Sequence, residues 1–237
     1  MLKPNIKRFY KSVDVHDDVN GFAIRLDTRP IKTPAGKPLC APTHTLAEAI
    51  AAEWQGQGDM ILPDTMPLTK SLNTALDRIA PNRDAIIADL ANYAASDVLC
   101  YRAESPIELV RRQSTAWDPW LDWAAERHGA RLIATIGITH VAQPPEALAR
   151  LREAIAAHDD HRLVAVHTGV TITASIVLGL AFAAKAITAE EAFAIAQIEE
   201  TYQAELWGLD AEAEKARANR LADLKAAEAY LNLLAGA

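Results

Sequence analysis

From Lys7 to about Ala41 the apolar residues come in short runs, RFYKSVDV, GFAIRL, RPIKT and PLCA, separated by polar connections. Those connections hold Asp17-Asp18-Val19-Asn20-Gly21, Asp27-Thr28-Arg29-Pro30 and Thr33-Pro34-Ala35-Gly36. Asn-Gly and Pro-x-Gly supply the positive or fixed φ angles of tight turns, so the stretch predicts a small antiparallel meander. Thr45-Leu46-Ala47-Glu48 has capping-box spacing, and Leu46, Ala49, Ile50, Glu53 and Trp54 then recur at helical intervals. A helix ending at Gly56 or Gly58 is therefore expected over one face of the sheet.

After Pro63 and Pro67 the period is helical almost throughout. Ser105-Pro106-Ile107-Glu108 combines an N-cap serine, a first-turn proline and a capping glutamate. Asp118-Pro119 repeats the start signal, which predicts a new or kinked helix from Trp117 to Arg127, ending at Gly129. The β-branched Ile133, Thr135, Ile136, Ile138 and Thr139 suit a short strand between Arg131 and Val141. Further helices are expected near Pro144-Pro145, near Asp160, near Thr173, at Thr188 and after Asp210. The fold class read from this pattern is α+β. A small antiparallel-sheet domain with a covering helix (1–66) precedes a larger all-helical domain (67–237), with the boundary between Leu62 and Thr69.

Composition narrows the function classes. A chain of 237 residues, half of them hydrophobic, has ample core material and is not disordered. The net charge of -7, with Lys and Arg dispersed among acids, argues against a nucleic-acid groove. Cys40 and Cys100 lie far apart with no CxxC pattern, as two buried thiols would in a reducing compartment, with a single disulfide as the alternative. The most apolar run, Ile172 to Ile187, is interrupted by Thr173, Ser175, Gly179 and Lys185 and is shorter than the ~20 apolar residues a bilayer needs. It reads as a buried core helix. MLKPNIKRFYK has no apolar signal region, so the chain is expected to stay where it is made, without membrane insertion.

Catalytic chemistry is hard to assemble. His158-Asp159-Asp160-His161 groups four ligand types, but adjacent residues point in different directions and no second ligand set stands at metal-site spacing. It reads as a solvated connection with Asp160 capping the next helix, and His16-Asp17-Asp18 falls in a turn. Gly36-Lys37 lacks the rest of a phosphate loop, and G-x-S-x-G, H-E-x-x-H and G-x-G-x-x-G do not occur. No metal or cofactor is expected.

The stretch AQIEETYQAELWGLD, Ala196 to Asp210, concentrates acids around a tryptophan. Thr188 and Glu191 form a capping box and Gly208 ends the pattern, giving one helix of about five turns. Projected at about 100° per residue from Ile195, Ile198, Tyr202 and Leu206 cluster, Glu199 falls at roughly 40° inside that stripe, and Glu200 lies near ~140° beside Phe193 and Trp207. Glu190, Gln197 and Thr201 fall on the opposite, solvated side, and Glu205 reads as ordinary surface. Glu199 is then partly buried and needs a partner. Either it pairs internally with Arg102, Arg111 or Arg112, or Glu199 or Glu200 stands at a groove edge to engage another protein.

Elsewhere, Glu53, Trp54 and Gln57 end the first helix, where packing that joins the two domains competes with a binding role. Trp117, Trp120 and Trp123 form a stripe that suits a core. The last helix aligns Leu224, Ala227, Leu231 and Leu234, either packed or offered as a detachable amphipathic surface.

In their order along the chain, several of these segments resemble a known family. They are Arg8-Phe9-Tyr10-Lys11; Leu26-Asp27-x-Arg29-Pro30 with Lys32-Thr33-Pro34; Leu46-Ala47-x-x-Ile50-Ala51-x-Glu53-Trp54-x-x-Gln57; and Met66-Pro67-Leu68-Thr69. Thr74-Ala75-x-Asp77, Asp97-x-x-Cys100-Tyr101-Arg102, Gln113-x-x-x-Trp117-Asp118-Pro119 and the segment from Gly137-Ile138 to Gln143 follow. Glu199-Glu200-x-x-Gln203-x-x-x-Trp207-Gly208-x-Asp210 completes the set. The chain is similar in these to the assembly chaperones of the ATP synthase F(1) head, the type that binds the α subunit before it joins β.

The resemblance implies an N-terminal α/β domain, a helical C-terminal domain, and binding without catalysis. Its implied partner is the α subunit, whose apolar β-facing surface the chaperone shields, with a carboxylate in the segment of Glu199 and Glu200 important for that. The residues expected to meet the partner are Glu199, Glu200, Gln203, Trp207, Phe193, Asp210, Glu53 and Trp54, in a monomer. Without a presequence, the expected location is the bacterial cytoplasm, or the mitochondrial matrix for a processed form. The rival readings are a small-molecule enzyme using Glu199 and Glu200 with Asp97 or His167 in an interdomain cleft, and a subunit that stays in the final assembly.

Overall fold

In the computed structural model, which describes residues 6–235, strand β1 (Ile6–Lys7) pairs antiparallel with β6 (Met60–Ile61). The predicted meander forms a separate antiparallel sheet. In it β2 (Val13–Asp18) lies against β3 (Gly21–Leu26), and β3 also takes β4 (Arg29–Pro30) and β5 (Cys40–Ala41). Gly21 closes the β2–β3 hairpin at φ +120°, and a Cβ there would sit 2.3 Å from the Ala41 carbonyl oxygen. Only glycine satisfies both the turn and the approach of β5.

Helix α1 (His44–Gln55) buries Leu46, Ala47 and Ile50 and contacts β2, β3 and β5. Its N-cap is Thr43, whose hydroxyl accepts from the Leu46 amide, so the cap lies two residues before the one the sequence suggests. The Glu53 carboxylate accepts from the backbone amides of Leu68 and Thr69 and from the Thr69 hydroxyl, at 2.7–2.8 Å, and so caps α2 (Pro67–Thr74). Trp54 packs against Tyr10, whose hydroxyl donates to the Trp54 carbonyl.

The chain divides into two compact units, one running to Asn82 and resuming at Ala229, the other Arg83–Glu228. The division therefore lies later than the Leu62–Thr69 boundary read from the sequence. Side-chain reach explains this: Glu53 ties α2 to α1, and Asp77, in the π-helical segment Ala75–Ile79 that follows α2, accepts from the Thr33 hydroxyl and the Ala35 amide. Such contacts join residues some 15 to 44 positions apart and leave no periodic trace.

The second unit contains α3 (Arg83–Asn92), β7 (Tyr101–Arg102), α4 (Ile107–His128), β8 (Thr135–Ile136), α5 (Pro145–Ala156), α6 (Asp160–Thr173) and α7 (Ile176–Ala183). It continues through α8 (Ala189–Ala196), α9 (Ile198–Trp207) and most of α10 (Ala211–Leu233). β7 and β8 form a short parallel pair where the β-branched run suits a strand. Every residue of α7 is buried, but the apolar run from Ile172 to Ile187 is not the single buried helix expected: it breaks at Ala174–Ser175, and Ala184, Lys185 and Ala186 are exposed. Gly169 and Gly179 let α6 and α7 meet closely: a Cβ on Gly179 would lie 2.4 Å from Val170 Cγ2 and 2.7 Å from its amide nitrogen.

Three local expectations change. Helix α4 runs unbroken through Pro119, its buried Trp117 and Ala124 holding it on both sides of the missing amide donor. It starts after Pro106, with no side-chain cap from Ser105. Asp159, not Asp160, caps α6, accepting from the Arg162 amide, while Asp160 pairs with Arg83 at 2.7 Å. Both cysteines are free and buried. No described helix is long and apolar enough to cross a membrane.

Candidate functional site

The segment expected to be one helix is two. Thr188 and Glu191 make the predicted capping box at the start of α8, but Gln197 at φ −100° and ψ 20° separates α8 from α9. No proline or glycine marks the break. Trp117, 1% exposed, reaches it from α4 and donates its indole N–H to the Ile195 carbonyl at 2.8 Å. That carbonyl belongs to the last turn of α8, where helix acceptors lack intrahelical donors. Arg102 stacks its guanidinium 5.0 Å from the Trp117 ring centroid and pairs with Asp118 at 2.7 Å.

The break turns α9 relative to α8 and changes which residues face solvent. Gln197, placed on the solvated side by a continuous projection, is buried, and Glu199, placed in the apolar stripe, is exposed. Glu199 pairs with none of Arg102, Arg111 or Arg112. Glu205 holds Arg112 instead, both its oxygens within 2.9 Å of Nη1, which with Glu108 keeps that guanidinium pKa above its usual value.

Projected along α9 alone, Leu206, Glu199, Gln203, Trp207 and Glu200 fall within an arc of roughly 120°. All five are exposed, with Trp207 at 78% and Leu206 at 56%. Leu209, 46% exposed, extends the face past Gly208. Neither Glu199 nor Glu200 has an ion pair or hydrogen bond among the described residues. An exposed indole and leucine on the same face as two uncompensated carboxylates form a surface suited to a partner with apolar and basic groups. Leu206 and Leu209 were missed in the sequence because a continuous helix hides the first and the second follows the helix end.

The other expected site residues lie elsewhere. Asp210 caps α10, accepting from the Ala213 amide, and Phe193 is buried beneath Arg217. Glu53 and Trp54 belong to the first unit, with the carboxylate of Glu53 committed to α2. Asp97, invoked in the enzyme reading, is fully buried and accepts from the Leu99 and Val177 amides and the Ser175 hydroxyl. Burial raises its pKa from 3.8 to about 6, against those hydrogen bonds. It is committed to joining the turn before β7 to the start of α7. No group of three or more His, Cys, Asp or Glu side chains among the described residues could hold a metal ion.

The model of the ATP12 chaperone protein family matches residues 7–125. The chain belongs to the ATP12 family of chaperones, which serve ATP synthase assembly. Atp12 from Paracoccus denitrificans, known from its crystal structure, is 44% identical, with a TM-score of 0.93 over 96% of this chain and 98% of that one. A protein from Agrobacterium tumefaciens, named a candidate chaperone, is also 44% identical, with a TM-score of 0.92 over 98% of this chain and 88% of its own. The mitochondrial protein atp12 of Schizosaccharomyces pombe is 24% identical over 218 residues, 87% of this chain and 75% of that protein. The family model thus stops within α4, before α8–α9, whereas the structural likeness extends over nearly the whole fold.

Proposed function

We propose that this ATP12-family chaperone binds the free α subunit of the ATP synthase F(1) head and shields its apolar, β-facing surface through the outer face of α9. The observation that carries the reading is Trp207, highly exposed on the face of α9 that also holds Leu206 and the unpaired Glu199 and Glu200. Large exposed apolar residues bounded by polar ones mark interaction surfaces, and tryptophan is a frequent binding hot spot. The carboxylates select basic groups on the client and disfavour acidic ones. The reading assigns binding and no catalysis, to a monomer. Its place is the bacterial cytoplasm, a choice supported by the two bacterial relatives, with the mitochondrial matrix the alternative suggested by the yeast one.

The test is titration of isolated α subunit into the wild type, Glu200→Ala and Trp207→Ala. Trp207→Ala is expected to weaken binding roughly 30-fold, about 2 kcal/mol, and Glu200→Ala by a smaller factor that shrinks as salt rises. Melting temperatures should stay near wild type because both side chains face solvent. Unchanged affinity in both variants, or a melting loss as large as the binding loss, would remove this face from the function.

A further inference from the structure

A second surface lies on the other side of α9. A groove of about 550 Å³ runs between α8–α9 and the first half of α10, with Phe193, Ile198 and Thr201 on one wall and Arg217, Ala218 and Leu221 on the other. Its lining is largely apolar, and its charged residues are Arg112, Arg217, Glu190 and Glu214. Glu190 is answered by Lys225 at 2.7 Å, and Arg112 by Glu205 at 2.8 Å and Glu108 at 3.3 Å. Arg217 has no ion pair among the described residues. Its Nη2 donates to the Thr201 hydroxyl at 3.1 Å, its guanidinium lies 5.9 Å from the Phe193 ring centroid, and its Nη1 is shielded from solvent with no hydrogen-bond partner. Glu214 also lines the groove, with no ion pair to Arg217 among the described residues.

A shielded guanidinium nitrogen without an acceptor is unfavourable, and a carboxylate is the acceptor whose shape and charge suit it best. The neighbouring wall can adjust. From Ala211 to Asp223 no residue of α10 is buried, and its core packing begins at Leu224. The long arginine side chain can turn its nitrogen towards an occupant by rotation about its own bonds.

We infer that this groove is a second client-binding surface, which takes an apolar segment bearing an aspartate or glutamate, its apolar side chains on Phe193, Ile198 and Leu221 and its carboxylate on Arg217. The inference rests on the reading of this chain as a chaperone of the α subunit. It adds a contact of opposite sign to the acidic outer face of α9, so two client segments of opposite charge flank one helix. Specificity then comes from both charges at once, because a client segment with either sign reversed meets repulsion.

The test uses the full chain with a photo-crosslinking benzoylphenylalanine at Ala218 in the groove or at Gln203 on the outer face, incubated with purified α subunit. The crosslinked peptides are identified by mass. Binding is also measured for Arg217→Glu, Arg217→Gln and Glu214→Gln, with melting curves for each. Crosslinks from Ala218 are expected on a peptide with Asp or Glu beside apolar residues. Arg217→Glu should weaken binding at least about tenfold, Arg217→Gln less, and Glu214→Gln should bind no more weakly than wild type. Crosslinks from Gln203 alone, or full affinity in a folded Arg217→Glu variant, would overturn the groove while leaving the outer-face reading in place. Absence of crosslinks and of binding at both positions would overturn the α-subunit reading, and this inference with it.

Discussion

Replacing Asp97 with alanine is expected to destabilise the second unit by about 3–5 kcal/mol, lowering its melting temperature by roughly 10 °C. The carboxylate is fully buried and accepts from the Leu99 amide at 3.0 Å, the Ser175 hydroxyl at 2.9 Å and the Val177 amide at 3.2 Å. Alanine leaves these donors buried without an acceptor, each costing about 1–3 kcal/mol, offset in part because a desolvated charge disappears. Urea titration followed by circular dichroism measures the loss. A change below about 1 kcal/mol would show that water or repacking replaces the carboxylate.

Asp97 also carries a pH signature of unusual sign. Its folded pKa of about 6 lies above the usual 3.8, so the folded state binds more protons between those values. The corresponding stability is present below about pH 3.8 and is lost as pH rises through about 6. His128, His158 and His161 behave in the opposite way. Burial lowers their pKa values below the usual 6.5, so their contribution is present above that pH and is lost as pH falls below it. Between pH 7 and pH 5 the two effects oppose each other in the wild type. Asp97→Asn removes the carboxylate titration, so its stability should fall more steeply over this interval than that of the wild type. Equal slopes would contradict the assignment.

Trp117→Ala is expected to cost about 3–5 kcal/mol, as for other fully buried aromatic residues, and to weaken α-subunit binding as well. The second effect follows from position. The buried indole donates to the Ile195 carbonyl, in the last turn before the α8–α9 break. Trp117→Phe separates the two contributions, since it keeps most of the ring volume but leaves the Ile195 carbonyl without its donor, for about 1–3 kcal/mol. Binding that survives Trp117→Ala at a temperature where the variant is folded would show that the orientation of α9 does not depend on this contact.

The parts of this fold legible in the sequence are those fixed by local chemistry. Asn20-Gly21 announces the β2–β3 hairpin because a positive φ is written into the residue type, and Thr188 with Glu191 announces the start of α8 because a capping box needs only four residues. The features that escaped are set by distant side chains. Gln197 carries no helix-breaking signal, and the carbonyl before it is satisfied by an indole 78 residues away in sequence. An error at that one residue rotates the outer face of α9, which is why the continuous projection makes Glu199 partly buried and puts Leu206 in the apolar stripe. The later division between the units has the same origin, in the reach of Glu53 to α2 and of Asp77 to Thr33. Glu199, Glu200, Gln203 and Trp207 nonetheless fall on one exposed face, since their spacing of one and two turns survives the rotation.

On the proposed function, the chaperone occupies the surface of α that β later covers. The most direct measurement is displacement: isolated β subunit is titrated into a preformed complex of this chain with α, and species are resolved by size and mass. The expected result is a one-to-one chaperone–α complex from which β releases the chaperone as α–β pairs form. A stable ternary complex of chaperone, α and β would contradict shared occupancy and favour a subunit retained in the assembly, and failure to bind isolated α would contradict the claim outright.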